Sequence, residues 1–316
     1  MGGFLFTFAS VLSVFSPDIY FLLFLRVIQG LGAAACMSMA RVIITDSFKK
    51  SEAAEKLSLL TAIMVIFPLI SLILGGFIAE TIGWIGTMYI FTMFGFIIFG
   101  SVLFKISETK THRLDSLDIR KIFESYLSVL SNSKFVLFTL ICSIQSGVFF
   151  SSFGFMPYEF ARIGVAPFEF GFWFSFAGIG YFFGNIVNRK IAAFWGIEKL
   201  VNIGCFFSLI SYSAILVMNL NGFLSPLYIS IPLIVFGLGN GFTVANCIAG
   251  GVSATGRHSG TATGITGAMQ MLSGGIFGTL IINLGGDQNF YICLIFVNVL
   301  CAIAFLLAVI NYKNTK

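Results

Sequence analysis

Residues 26–35 read RVIQGLGAAA, a stretch that combines an arginine with a run of small residues. It lies inside an apolar run from residue 19 to about residue 45, long enough to cross a bilayer at about 1.5 Å of rise per residue. An arginine within such a run costs roughly 2.5–3.5 kcal/mol on insertion scales, so we expect Arg26 to face a polar cavity or a partner charge. The alternative is a structural arginine tied to backbone carbonyls. Gly30 and Ala34 share its helix face, where small residues let another backbone approach closely.

The composition indicates a membrane protein. Of 316 residues, 58% are hydrophobic and 10% are charged, and the mean hydropathy is +0.99. Soluble domains carry about 25% charged residues. A β-barrel is disfavoured because the apolar runs are continuous and do not alternate. The net charge of +5 is attributed to the lysines and arginines that are enriched in the cytoplasmic connections of membrane proteins. We therefore expect no nucleic-acid partner.

Ten apolar runs could span a bilayer. They cover about residues 2–16, 19–45, 57–79, 84–104, 135–156, 168–187, 200–219, 226–250, 260–283 and 290–310. The sequence therefore predicts an all-α polytopic membrane protein with ten transmembrane helices divided 4 + 6: a helical bundle over 1–104, a cytoplasmic central loop over 105–134, and a six-helix bundle over 135–316. The middle of the loop reads as an amphipathic helix lying at the membrane interface.

The basic residues predict the orientation. With a cytoplasmic N-terminus, nearly all lysines and arginines fall on the cytoplasmic side. Only Arg162 is then outside, while Arg26 and Arg41 lie within or at the end of a span. Because cytoplasmic connections are enriched in Lys and Arg, we expect a multi-pass protein with both termini cytoplasmic.

Residues 26–46, RVIQGLGAAACMSMARVIITD, resemble the fourth-helix motif of the major facilitator superfamily, most closely its bicyclomycin and chloramphenicol resistance branch (Bcr/CflA type). Residues 67–84 resemble the fifth-helix antiporter motif, although Ser71 stands where this branch usually has a second proline. Further matching positions are Pro68, Gly75, Gly76, Gly184, Asn185, Arg189, Ala245, Asn246, Gly260, Thr261, Ala262 and Gln270.

The resemblance implies a two-bundle fold, and it begins at the third helix of the family, so that residues 1–104 correspond to helices 3–6. The first two helices, including an acidic partner for the fourth-helix arginine, have no counterpart. We expect an N-terminally truncated chain; a native ten-helix variant is the alternative.

Three sets of candidate functional residues follow. The proton-coupling and cavity set is Arg26, Gln29, Gln145, Asn246 and Gln270. The gate or cytoplasmic-anchor set is Arg41, Asp46 and Arg189. The helix-packing set is Gly30, Gly32, Pro68, Gly75, Gly76, Gly260 and Gly264. For each amide, an interhelical hydrogen bond is the alternative to a cavity role. Asn240 and Asn246 are about 240° apart around a helix and cannot both face a cavity.

The resemblance implies a secondary active transporter that exports small amphipathic compounds, as multidrug or xenobiotic efflux, in exchange for protons by alternating access. We expect a monomer in the bacterial inner membrane. Metabolite uptake or exchange by the same fold, or a truncated fragment without transport activity, are the alternatives. The sequence contains no nucleotide-binding loop, metal-ligand cluster or nucleophile triad. We therefore expect that the protein binds neither a cofactor nor a metal and is not an enzyme.

Overall fold

A computed structural model describes residues 1–48, 50–105, 119–286 and 288–314. These residues are almost entirely α-helical and contain no strand. The chain forms two compact units, Met1–Leu117 and Asp118–Lys316, here called the N-terminal and C-terminal units. Within the described ranges, eight helices are long and apolar enough to cross a membrane by length and composition. The all-α membrane fold is thereby confirmed, and the count of ten spans stays a prediction.

The N-terminal unit consists of α1 (Gly2–Val14), α2 (Ile19–Ser47), α3 (Lys50–Thr81) and α4 (Trp84–Lys105). Helix α1 packs against α2 and α4. The α2 helix begins where the Asp18 side chain accepts a hydrogen bond from the backbone N–H of Phe21 at 2.8 Å. Such an N-cap satisfies one of the free donors of a first helical turn.

Helices α1 and α2 approach each other closely at Gly32. A Cβ placed on this glycine would lie 2.5 Å from the backbone nitrogen of Phe6 and 2.7 Å from the carbonyl oxygen of Gly2. Only a residue without a side chain fits there, because real Cβ atoms stay more than 3 Å from backbone atoms. Gly32 therefore provides the close contact that the packing motif predicts.

The C-terminal unit begins with α5, Ile119–Leu130, where the sequence predicts an amphipathic helix. It continues with α6 (Ser133–Ser151), α7 (Met156–Arg162), α8 (Pro167–Trp195), α9 (Ile197–Leu220), α10 (Pro226–Thr255), α11 (Ser259–Asn283) and α12 (Phe290–Lys313). Helix α10 packs against α8, α9 and α6, while α6 also contacts α11 and α12. The polar groups that join these helices are therefore arranged around α6 and α10.

Glycines bring α8 and α10 into backbone contact. A Cβ on Gly180 would collide with the carbonyl oxygen of Ile234, and one on Gly237 with that of Ala177. A Cβ on Gly184 would lie 2.7 Å from the carbonyl oxygen of Leu238. Glycines four residues apart along α8 thus let the backbones of α8 and α10 touch directly.

Four other glycines of the packing set face no close neighbour among the described residues. A Cβ on Gly30, Gly75, Gly260 or Gly264 would have no atom within 4 Å in the part of the chain that the structure describes. In α11 the reason is the direction of the helix face. Helix α6 contacts α11 through Thr266 and Ser273, which lie on the side opposite to Gly260 and Gly264 at about 100° per residue.

Candidate functional site

Arg26 is the start of a hydrogen-bonded chain that joins α2 to α1. Its Nη1 donates to Oε1 of Gln29 at 2.7 Å. The Nε2 of Gln29 in turn donates to Oγ of Ser10 at 2.7 Å. Gln29 and Ser10 are both buried. The spacing of three residues between Arg26 and Gln29 puts them on one helix face, so the sequence pattern correctly indicates that they meet.

The guanidinium of Arg26 also contacts α4. Its Nη2 lies 3.4 Å from the sulfur of Met88, and its central carbon lies 4.9 Å from the ring centre of Phe91. No carboxylate among the described residues lies within ion-pair distance of Arg26, and no described backbone carbonyl accepts from it. The charge is therefore held by an amide, a thioether and an aromatic face, which differs from the carbonyl-bound alternative.

Asn246 joins α10 to α8 by a buried hydrogen bond. Its Nδ2 donates to Oδ1 of Asn188 at 2.7 Å and to the carbonyl oxygen of Phe242 at 2.8 Å. Asn240 is buried as well, and its Oδ1 has no partner within the described ranges. The Asn246 amide thus has the interhelical hydrogen bond that the alternative interpretation describes.

Gln145 and Gln270 form hydrogen bonds that involve two consecutive residues of α6. Gln145, on α6 itself and fully buried, accepts from Oγ of Ser208 on α9 at 2.8 Å. Gln270 on α11 accepts from Oγ of Ser146 on α6 at 2.9 Å. The Nε2 of Gln145 has no hydrogen-bond partner in the described part of the chain. Gln145 therefore links α6 to α9, whereas Gln270 links α11 to α6.

The cavity residues therefore form two groups, one in each unit: Arg26 with Gln29, and the C-terminal amides around α6 and α10.

Of the gate set, Arg189 is exposed near the end of α8, with no hydrogen bond or ion pair to any described residue. Arg41, Asp46 and Pro68 lie in α2 and α3, but their side chains are outside the described residues. Gly76 is half-buried in α3.

One buried carboxylate was not among the residues singled out from the sequence. Glu159 on α7 is only 3% exposed. Its two oxygens accept from Nε and Nη2 of Arg162, each at 2.8 Å, and Oε1 also accepts from Nδ2 of Asn219 on α9 at 3.3 Å. The i,i+3 spacing of Glu159 and Arg162 indicates that the two side chains can pair on one helix. No sequence pattern indicates the contact of Glu159 with α9.

An aromatic cluster, defined here as Phe149, Phe153, Phe174, Phe236 and Tyr212, lies between α6, α8, α9 and α10. Phe149 contacts the rings of the three other phenylalanines at centroid distances of 5.6–6.5 Å. The Tyr212 ring meets that of Phe236 edge-on at 5.0 Å, and its hydroxyl lies 2.7 Å from Oγ of Ser152. With 39 phenylalanines in the chain, sequence alone could not single out this group.

Removing the amide of Asn246 is expected to destabilise the pairing of α8 with α10 modestly. In Asn246→Leu, Oδ1 of Asn188 loses its donor in a buried setting, and hydrogen bonds of this kind contribute about 0.6–2 kcal/mol in membrane proteins. The measurement is a double-mutant cycle on thermal unfolding with Asn188→Leu. Strictly additive losses in the double variant would show that the two amides do not interact.

Long apolar helices with polar side chains paired between them define a multi-pass α-helical membrane protein. A family model, the Major Facilitator Superfamily, matches residues 1–279, and the chain belongs to this family. It is accordingly a membrane transport protein and not an enzyme, which confirms the resemblance seen in the sequence.

The chain is similar to several known proteins. It is 26% identical to the "Uncharacterized MFS-type transporter YdgK" of Bacillus subtilis over 88% of this chain and 70% of the relative. It is 24% identical to the "Bicyclomycin resistance protein homolog" of Haemophilus influenzae over 83% of this chain and 66% of the relative. A bacterial homologue of the human lysosomal transporter Spinster, solved in an inward-facing and unoccupied conformation, has the same fold, with a TM-score of 0.76. It is 14% identical and covers 99% of this chain and 81% of that chain.

Proposed function

We propose that this protein exports small amphipathic compounds in exchange for protons, by alternating access between two helical bundles over residues 1–104 and 135–316. The similarity to a bicyclomycin resistance homologue supports a drug-like substrate. In transporters of this type the substrate binds between repeats near the bilayer midplane and is released as one bundle moves against the other.

The observation that carries the proposal is the setting of Arg26. A guanidinium has five N–H donors, and only two of its contacts are to described acceptors, Gln29 and Met88. The side chain is half-buried, so it retains donors for a further acceptor. Arginine does not release a proton at physiological pH. In this proposal it favours the ionised form of a carboxylate that approaches it, and thereby couples that group to the proton gradient.

The other candidate residues have defined parts in the proposal. Gln29, Gln145, Asn246 and Gln270 supply neutral polar groups to the transport pathway, whereas Arg41, Asp46 and Arg189 act at its cytoplasmic end. The protein is a monomer in the bacterial inner membrane, and both termini are cytoplasmic because this orientation places the basic connections inside.

Expression of the chain is expected to lower the steady-state accumulation of a fluorescent amphipathic cation in bacterial cells. A protonophore should restore accumulation to the level of cells with an empty vector, because export depends on the proton gradient. The measurement is cell fluorescence, with the amount of protein in the membrane quantified in parallel. Unchanged accumulation with normal membrane insertion would contradict drug export, and substrate-dependent growth would instead indicate an uptake carrier.

A further inference from the structure

One side of α5 is fixed against the C-terminal unit. The Oγ of Ser125 lies 2.9 Å from Nδ1 of His258 and 2.8 Å from Oγ1 of Thr261, at the start of α11. Val129, one turn later, is 1% exposed and packs in a buried group with Phe135 of α6 and Ala262 of α11. These contacts set the rotation of α5 about its own axis.

A second side of α5 is apolar and exposed, with no described residue covering it. Phe123, Tyr126, Leu127 and Leu130 are between 44% and 63% exposed, and their i, i+3, i+4, i+7 spacing makes one continuous stripe along the helix. At 3.6 residues per turn, the centre of this stripe is about 120° from the side that carries Ser125 and Val129. The stripe is therefore separate from the surface that packs on α11.

The third side of α5 is polar. Arg120 and Glu124 form an ion pair at 3.0 Å, and their side chains are 88% and 60% exposed; Ser128 lies on the same side and is exposed. This side is again about 120° from each of the others. A helix at a simple protein–water boundary needs one packed side and one polar side, so the apolar stripe requires an additional neighbour.

We propose that the stripe of Phe123, Tyr126, Leu127 and Leu130 binds the bilayer at the boundary between lipid headgroups and acyl chains. Helix α5 ends at Leu130, and α6, which begins the apolar stretch Ser133–Arg162, starts three residues later. Three residues reach at most about 10 Å, so α5 lies beside the point where a candidate span meets the membrane surface.

The chemistry of the stripe fits this partner. Its tyrosine belongs to the residue types enriched at membrane–water interfaces. An amphipathic helix in the interface plane buries its apolar side about 5–10 Å into that boundary while the polar side stays in water. The contact with lipid follows from the faces of α5 alone and holds whichever compound the protein carries.

Spin labels on adjacent residues test the proposal in the full chain. In a Cys36→Ser background, whose remaining five cysteines are buried, labels are placed at Leu127→Cys and at Ser128→Cys as the matched control. The protein is reconstituted in vesicles of phosphatidylcholine and phosphatidylglycerol. Collisions with oxygen, which concentrates in the bilayer, are compared with collisions with a water-soluble nickel chelate.

The label at residue 127 should favour oxygen and report a depth of about 5–10 Å, while the label at residue 128 should favour the nickel chelate. Equal access of the chelate to both labels would overturn the proposal, since the stripe would then face water. A residue-127 label that is immobile and shielded from both reagents would also overturn it, since a protein surface or a second copy would then cover the stripe. Phe123→Cys with Glu124→Cys gives an independent second pair.

Discussion

Replacing Gly237 with alanine is expected to destabilise the C-terminal unit by about 1–3 kcal/mol, the usual cost of overpacking, or more. The added methyl group would collide with the carbonyl oxygen of Ala177 and lie 2.6 Å from the backbone nitrogen of Tyr181. Both are backbone atoms of α8, so no flexible side chain can move aside. The helices must separate, and α8 would lose its contact with α10 over several turns. The measurement is the thermal unfolding midpoint in detergent.

Gly264→Ala is the matched control, because it makes the same change within another membrane helix. A Cβ at Gly264 meets no described atom within 4 Å, and alanine has a helix propensity up to about 1 kcal/mol better than glycine. The unfolding midpoint should therefore stay constant or rise. If both variants unfolded at the same temperature, the close backbone contact at Gly237 would not exist in the folded protein.

Arg26→Ala is expected to abolish drug export while the protein still inserts and folds. The variant removes the positive charge that lies over the Phe91 ring. Gln29 keeps the hydrogen bond that it donates to Ser10 but loses the one that it accepts from Arg26. Arg26→Lys should keep only part of the activity, because a lysine ammonium is a point charge that does not stack on a ring as a planar guanidinium does. The measurement is the initial rate of cation efflux per amount of membrane protein.

Arg120→Gln serves as the control for Arg26, since the Arg120 side chain is 88% exposed and its ion pair among the described residues is with the surface residue Glu124. Exposed ion pairs contribute little to stability, and efflux should match that of the unchanged protein. Full export by Arg26→Ala would remove the role proposed for this guanidinium. A loss of export accompanied by a lowered unfolding temperature would instead assign Arg26 a structural role.

The apolar runs located the helices well, but the helices extend beyond them. The predicted span 168–187 corresponds to α8, which continues to Trp195. The run of polar residues after position 187 ends the apolar stretch without ending the helix. Helix α8 stops at Gly196, whose φ of +78° favours glycine. Likewise α3 begins at Lys50, seven residues before its predicted span.

The sequence did not predict which side chains form hydrogen bonds between different helices. The periodicity of one helix shows which residues share a face, and so it brought Arg26 and Gln29 together. It does not show which helix lies opposite that face. For this reason the contacts of Gln145 with Ser208 and of Glu159 with Asn219 could not be predicted from the sequence. The glycine pair at 260 and 264 had the same spacing as the pair at 237 and 241, yet only the second faces a neighbour.

The glycine-mediated contact between α8 and α10 has a practical consequence for measuring motion. Because backbone atoms and not flexible side chains form this close contact, we expect the two helices to move as one rigid pair. Reporter groups attached to the outer surfaces of these two helices should hold a constant separation throughout the working cycle. That pair can thus serve as an internal ruler against which displacements elsewhere in the protein are calibrated.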